Sequence, residues 1–230
     1  MFATIIKRLF ARTTYASNHI VTKQYNKFET KTYTFANIFI KSMNAVNPQE
    51  TGRIVEYILS NLFVKQSKDV SFVPLDGLNI DMVNIITANL YEYKYFVKQM
   101  NDFILYLIGW KSNKTVPVYL QDNLSFKKSS CCKVKEFKCF ADVTTHDTII
   151  ELKVVRSSFF CLNSINTEVV EKKLNNVGLR YYNQLMTYAC GFNNKYKRWP
   201  RRLILLNAYT GEVIDWHPTI TAYNEFYDLI

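Results

Sequence analysis

At 230 residues, with 48% hydrophobic and 15% aromatic content and only 6 Gly and 5 Pro, the chain can bury one full core, which excludes a disordered polymer and a small loop-rich scaffold. Its 29 Lys+Arg outnumber 19 Asp+Glu, and the formal charge of +10 attracts polyanions, either nucleic acid or anionic lipid. The most apolar run, Phe103-Ile-Leu-Tyr-Leu-Ile-Gly-Trp110, falls far short of the ~18 residues of a membrane span and reads as buried helix, and surface attachment through the basic N-terminal segment lacks a clear amphipathic helix with flanking anchors, so no membrane partner is expected.

In chain order, the first 28 residues carry no acid but hold Lys7, Arg8 and Arg12, so residues 1–46 read as a basic N-terminal segment, with a mitochondrial targeting signal as the alternative. Residues 47–230 read as one domain. Ile54, Ile58, Leu59 and Leu62 recur at spacings of three and four, which predicts a helix over 48–63 opened by Asn47 or Pro48. A second helical region is expected over 79–110, with stripes at Ile80, Val83, Ile86, Leu90 and at Phe96, Met100, Phe103, Leu107. Beyond Trp110 the pattern becomes that of strands, at 116–120, 134–142 and 148–155, the last two joined by a turn at Thr144 to Asp147. Helical periodicity returns over 179–189. Strands at 202–208 and 212–216 flank Thr210-Gly211, and a short helix closes the chain. This order predicts an α/β sheet with helices on both sides.

The chemistry gathers on the hairpin. Side chains at i and i+2 of a strand share a face, so Glu151 and Lys153 project together while Ile150, Leu152 and Val154 enter the opposite, apolar layer. Folding at the turn brings Asp142 beside them. A carboxylate in an apolar strand is costly to bury unless it is paired or bound to metal, and two facing carboxylates raise each other's affinity for a proton or a cation. With no His or Cys at hand, oxygen ligands select Mg2+ or Mn2+ over zinc. An ordinary Glu-Lys salt bridge on a solvated sheet face is the alternative. The odd set of cysteines, Cys131, Cys132, Cys139, Cys161 and Cys190, contains no C-x-x-C pair, so no iron-sulfur cluster is expected and buried thiols are.

The stretch Phe140-Ala-Asp-Val-Thr-Thr-His-Asp-Thr-Ile-Ile-Glu-Leu-Lys153 resembles the signature of the PD-(D/E)XK nuclease superfamily, with Ala-Asp where the motif has Pro-Asp. Downstream, Gln184-Leu-Met-Thr-Tyr188 is similar to the Q-x-x-x-Y motif of its RecB-like branch, which includes phage and viral members. Upstream, Thr51-Gly-Arg-Ile-Val-Glu56 resembles the G-x-x-x-E helix of the same superfamily. The resemblance implies a restriction-endonuclease-like mixed sheet core flanked by helices, with an N-terminal helical addition. It implies Asp142, Glu151 and Glu56 as metal ligands and Lys153 as a catalytic residue, with Gln184 and Tyr188, one turn apart on their helix, in the same site. The activity implied is a metal-dependent DNA nuclease, more an exonuclease than an endonuclease, serving replication, recombination or repair in the nucleus or cytoplasm. The alternative is a nucleic-acid-binding protein that keeps the fold without the chemistry.

For the nucleic-acid partner, DNA before RNA, the run Lys195-Tyr-Lys-Arg-Trp-Pro-Arg-Arg202 supplies cations at Lys195, Lys197, Arg198, Arg201 and Arg202 with aromatic rings between them. Arg156 and Ser157, directly after the catalytic strand, are expected to meet a phosphate. A second basic cluster holds Lys127, Lys128, Lys133 and Lys135. Nothing in the sequence sets an oligomeric state, and ring-forming relatives make an oligomer worth testing.

Overall fold

The computed structural model describes residues 11–15, 28–32, 38–130, 133–161 and 173–230. Its elements are β1 (Ala11–Tyr15), β2 (Phe28–Thr32), α1 (Ile38–Val46), α2 (Pro48–Lys65), α3 (Ile80–Ala88), α4 (Leu90–Leu107), β3 (Tyr119–Asn123), β4 (Phe126–Ser130), β5 (Lys133–Lys138), β6 (Phe140–Thr144) and β7 (Thr148–Lys153). They continue with β8 (Phe160–Cys161), β9 (Lys173–Leu174), α5 (Asn176–Tyr196), β10 (Arg202–Asn207), β11 (Glu212–Trp216) and α6 (Ile220–Leu229). The fold is mixed α/β, and no helix of the described residues is long and apolar enough to cross a membrane. The targeting-like residues 1–10 and the pair Cys131-Cys132 lie outside the described residues.

The main sheet has the order β2-β11-β10-β7-β6-β3. Within it β7 and β10 run parallel and the other neighbours antiparallel. Strict alternation along the two central strands creates two cores. Ile150 and Leu152 of β7, with Ile204 and Leu206 of β10, face α1 to α4. Ile149, Leu203 and Leu205 face α5 and α6. Because β2 forms the sheet edge and α1 packs on α2, the folded body begins before residue 47.

Local chemistry moved several element boundaries. Asn47 caps α2 by accepting from Glu50 N, as expected, and the helix runs to Lys65 before Gln66 takes a left-handed conformation (φ 43°). The side-chain amide of Gln66 then satisfies both backbone groups of Val116, at 2.7 and 2.8 Å, so the strand expected at 116–120 starts instead at Tyr119. The long helical region divides at Asn89 (φ -121°, ψ 35°), which ends α3 and opens α4. The strand expected over 134–142 is interrupted at Cys139, where β5 joins a small sheet of order β1-β5-β4 and β6 joins the main one. The pairing is nonetheless one bent ribbon. Asn123 faces Phe140 and Phe126 faces Phe137 in an unbroken register, and at the bend Ser125 Oγ replaces a ladder partner by accepting from Cys139 N at 3.1 Å.

Helix α5 extends beyond the expected 179–189 at both ends, capped by Asn175, which accepts from Gly178 N at 2.9 Å. It crosses the ribbon's bend at Gly191, where an added Cβ would stand 1.9 Å from the Leu124 carbonyl oxygen. Only glycine permits that approach, and the approach sets the depth at which α5 presents its polar residues to the sheet. Cys139 and Cys190 are buried free thiols between these layers. The second basic cluster has a structural use: Lys128 donates to the Tyr227 and Asp228 carbonyls and Lys135 to that of Ile230, so both close the C-terminal end of α6.

Candidate active site

Strands β6 and β7 pair only at Val143 with Ile150 and Thr144 with Ile149. Toward Phe140 they part, and the Leu152 N–H donates to Asp142 Oδ2 at 2.8 Å instead of to a backbone carbonyl. One carboxylate oxygen of Asp142 thus holds the splayed strand, while the other faces Gln121 of β3. Glu151 points to the α5 side of β7 and is 2% exposed. Its Oε1 accepts from Lys153 Nζ and, at 2.9 Å, from Gln184 Nε2. Gln184 also donates to the Tyr188 hydroxyl at 2.6 Å, so the two α5 residues act as one arm, as their four-residue spacing allows. The other oxygen, Oε2, is buried and accepts from no donor among the described residues, while the Asp142 carboxylate lies within hydrogen-bond reach of Glu151 when that acid carries its proton.

Glu56, from α2 on the far side of the sheet, reaches the same place. Gln121 Nε2 donates to Glu56 Oε1 and, at 3.3 Å, to Asp142 Oδ1, so one amide bridges two carboxylates. Gln121 does this from a left-handed backbone conformation (φ 47°) inside a strand, a state that costs about 1–3 kcal/mol in a non-glycine residue and persists where its surroundings demand it.

The electrostatics follow from three carboxylates facing one ammonium. Burial pushes the Glu151 carboxyl up to about 8, with Asp142 adding to the rise and Lys153 opposing it. Burial and then Asp142 raise Glu56 as well. For Lys153 burial favours the neutral amine, but the charges of Glu151 and Asp142 outweigh it and its pKa is raised. Lys153 therefore stays cationic, and the proton that is easily displaced sits on the carboxylates. Tyr188 is raised by burial and by Glu151, so it remains a phenol.

An oxygen-only donor set with an unpartnered buried oxygen suits a hard divalent cation. Among the described residues, however, no three acidic, histidine or cysteine side chains are gathered tightly enough to hold a metal ion. The carboxylate of Glu56 is oriented by Gln121, which also reaches Asp142.

Of the other residues singled out in the sequence, Arg156 is exposed beyond the end of β7 and donates to the Asn44 carbonyl of α1 at 3.1 Å, while the Ser157 carbonyl is tied to Asn207 at 3.4 Å. Lys195 is paired with Asp122, and Arg202 makes a 2.6 Å ion pair with Asp215 and a 3.1 Å bond to the Leu107 carbonyl. Lys197, Arg198 and Arg201 lie at the opposite end of β7 and β10 from the carboxylates.

Sequence reasoning missed Gln121, Tyr181 and Arg180. The Tyr181 ring lies 5.2 Å from Lys153 Nζ and the exposed Arg180 guanidinium 5.8 Å from the same ring. Their spacing of three and four residues before Gln184 puts them on its helix face and could have found them. Gln121 had no such signal. No family model, curated protein or solved structure matches the chain.

Proposed function

We propose that this protein is a divalent-metal-dependent deoxyribonuclease on a restriction-endonuclease-like core, acting as an exonuclease. The observation that carries the reading is Glu151, fully buried with one oxygen that accepts from no donor among the described residues while a lysine and a glutamine crowd the other. An unsatisfied buried carboxylate oxygen costs about 1–3 kcal/mol or more. Such a cost is understandable where a ligand completes the site.

Asp142, Glu151 and Glu56 would hold Mg2+ or Mn2+. Bound there, the cation supplies a polarised phosphoryl oxygen and a water acidified toward hydroxide. The chain's own residues do the rest. Lys153 carries a fixed positive charge to where negative charge develops on the phosphate. Gln184 holds Glu151 Oε1 in place and is itself braced by Tyr188. Arg180, exposed at the mouth, adds a cation for the incoming strand.

The test is cleavage of end-labelled single-stranded DNA, duplex DNA and RNA with each metal. DNA should shorten stepwise with Mg2+ or Mn2+, stop in EDTA, and survive Lys153→Ala. Equal residual cleavage by wild type and Lys153→Ala overturns the reading. The second reading, a nucleic-acid-binding protein without chemistry, draws on the unassembled carboxylate shell. Binding of DNA with no metal-dependent cleavage would select it.

A further inference from the structure

The basic run of the sequence divides into two kinds of cation. Lys195 and Arg202 are neutralised within the fold, by Asp122 and Asp215. Arg198 and Arg201 are exposed and have no hydrogen bond or ion pair from their side chains among the described residues. Together with Lys197, Trp199 and His217 they line an open recess of about 860 Å³ between the end of α5 and the start of α6.

The backbone that carries these free charges is firmly held. Lys197 ends α5 in the left-handed conformation (φ 58°). The Trp199 ring stacks on Tyr223 at 4.8 Å and 6°, and the Tyr223 hydroxyl donates to the Pro200 carbonyl at 3.0 Å. The backbone N–H groups of Arg201 and Arg202 both donate to the Asp147 carbonyl, at 2.6 and 3.3 Å. A fixed loop spares the backbone part of the ordering cost when its cations bind, which an ordinary solvated loop does not. Among the described residues that line the recess Asp147 is the one acid, and it accepts from Thr148 Oγ1 at 3.0 Å and lies 3.5 Å from His146, while His217 lies 3.3 Å from Asp215 beside the recess.

Distance separates this recess from the carboxylates. Asp147 precedes β7 and Glu151 is four residues on, which at ~3.3 Å per residue is ~13 Å. Along α5, Gln184 to Lys197 is thirteen residues, which at ~1.5 Å each is ~20 Å. A spacing of that size corresponds to about four to six base pairs at 3.4 Å per step.

We infer that this recess is a second phosphate-binding site, which takes backbone phosphates of a nucleic-acid strand several nucleotides from the bond presented to Glu151 and Lys153. The remote position relative to the reacting bond rests on the nuclease reading; the binding itself does not. The site acts as an anchor for length. Substrates too short to reach it lack its contribution.

The experiment measures binding in EDTA, so no cleavage is needed, by fluorescence anisotropy across a salt series. Probes are a duplex longer than about 10 base pairs and a hairpin whose stem has about four, the loop keeping so short a stem paired. The double variant Arg198→Glu, Arg201→Glu is expected to weaken the long duplex at least tenfold and the short one little. A milder pair, Arg198→Ala with Arg201→Ala, should lower the slope of log affinity against log salt by roughly 1.8, the value for two phosphate contacts. Circular dichroism checks the fold of each. An unchanged salt slope for the long duplex overturns the inference. Inorganic pyrophosphate or ATP displacing the long duplex at concentrations where equal ionic strength does not would assign the recess to a free phosphate compound and also overturn it. If the wild type binds as described but never cleaves, the anchor stands and the nuclease reading falls.

Discussion

Asp122 and Glu151 are 6% and 2% exposed, both lie in the main sheet beside α5, and each meets a lysine. Around Asp122 the donors are shared between both oxygens: Lys195 on Oδ1, and Thr144 at 2.7 Å and Tyr196 at 2.9 Å on Oδ2. Around Glu151 both donors, Lys153 and Gln184, crowd Oε1 and leave Oε2 bare. Asp122 is thus a closed clamp that ties β3 to β6 and α5. Glu151 is an open one. α5 supplies Lys195 and Tyr196 to the closed site and Gln184 to the open one, whose lysine comes from β7 itself.

Neutralising each carboxylate is the largest test of that contrast. Glu151→Gln is expected to cut cleavage by about a hundred- to a thousandfold without lowering Tm, which near neutral pH should rise because the buried ionisable group is gone. Asp122→Asn should preserve activity per folded molecule but lose about 1–3 kcal/mol, because three donors face an acceptor that has been weakened. At about 2–4 °C per kcal/mol for a chain of this size, thermal unfolding would record a drop of several degrees. Loss of cleavage in Asp122→Asn at unchanged Tm would erase the distinction.

A smaller effect separates the two sites by pH. Burial holds the Glu151 proton up to about 8, whereas the unfolded carboxyl releases it near 4.5. Between those values the folded state binds more protons than the unfolded one, so metal-free stability falls as pH rises through the window. Glu56, also raised, adds in the same sense. Melting in EDTA from about pH 5 to about pH 8 should therefore show a declining Tm. Glu151→Gln should flatten that decline, and Asp122→Asn should leave it in place.

The smallest effect concerns Gln121. Gln121→Gly removes the amide bridge but relieves the left-handed backbone, so Tm should change little. Cleavage and Mn2+ affinity should fall about tenfold, the usual scale for a partner that orients metal ligands. Unchanged affinity by calorimetry would reduce Gln121 to a bystander.

Much of the candidate site was legible in one dimension. Period-two alternation placed Glu151 and Lys153 on one face of β7, a four-residue spacing placed Gln184 with Tyr188, and an apolar helical stripe placed Glu56 on α2. Those inferences depend on local geometry, which repeats regularly enough to count along. The interruption at Cys139 and the late start of β3 were not legible, because each is set by a side chain that substitutes for a strand partner, Ser125 from the paired limb of the ribbon and Gln66 from a distant helix end.

What the sequence by itself determined was which residues share an element and a face: the two carboxylates and lysine of the hairpin, the Gln-Tyr arm, and the excess of positive charge. Only the tertiary structure decided which charges are already satisfied. Lys195 and Arg201 read alike in sequence, as cations of one basic run, and nothing marked Asp122 as a buried clamp or Glu151 as a carboxylate with one oxygen left over. Whether a polar atom finds a partner depends on elements brought together across the sheet: Lys195 of α5 reaches Asp122 of β3, while among the described residues no donor reaches Glu151 Oε2. That pairing is a matter of three-dimensional position, and no spacing along the chain encodes it.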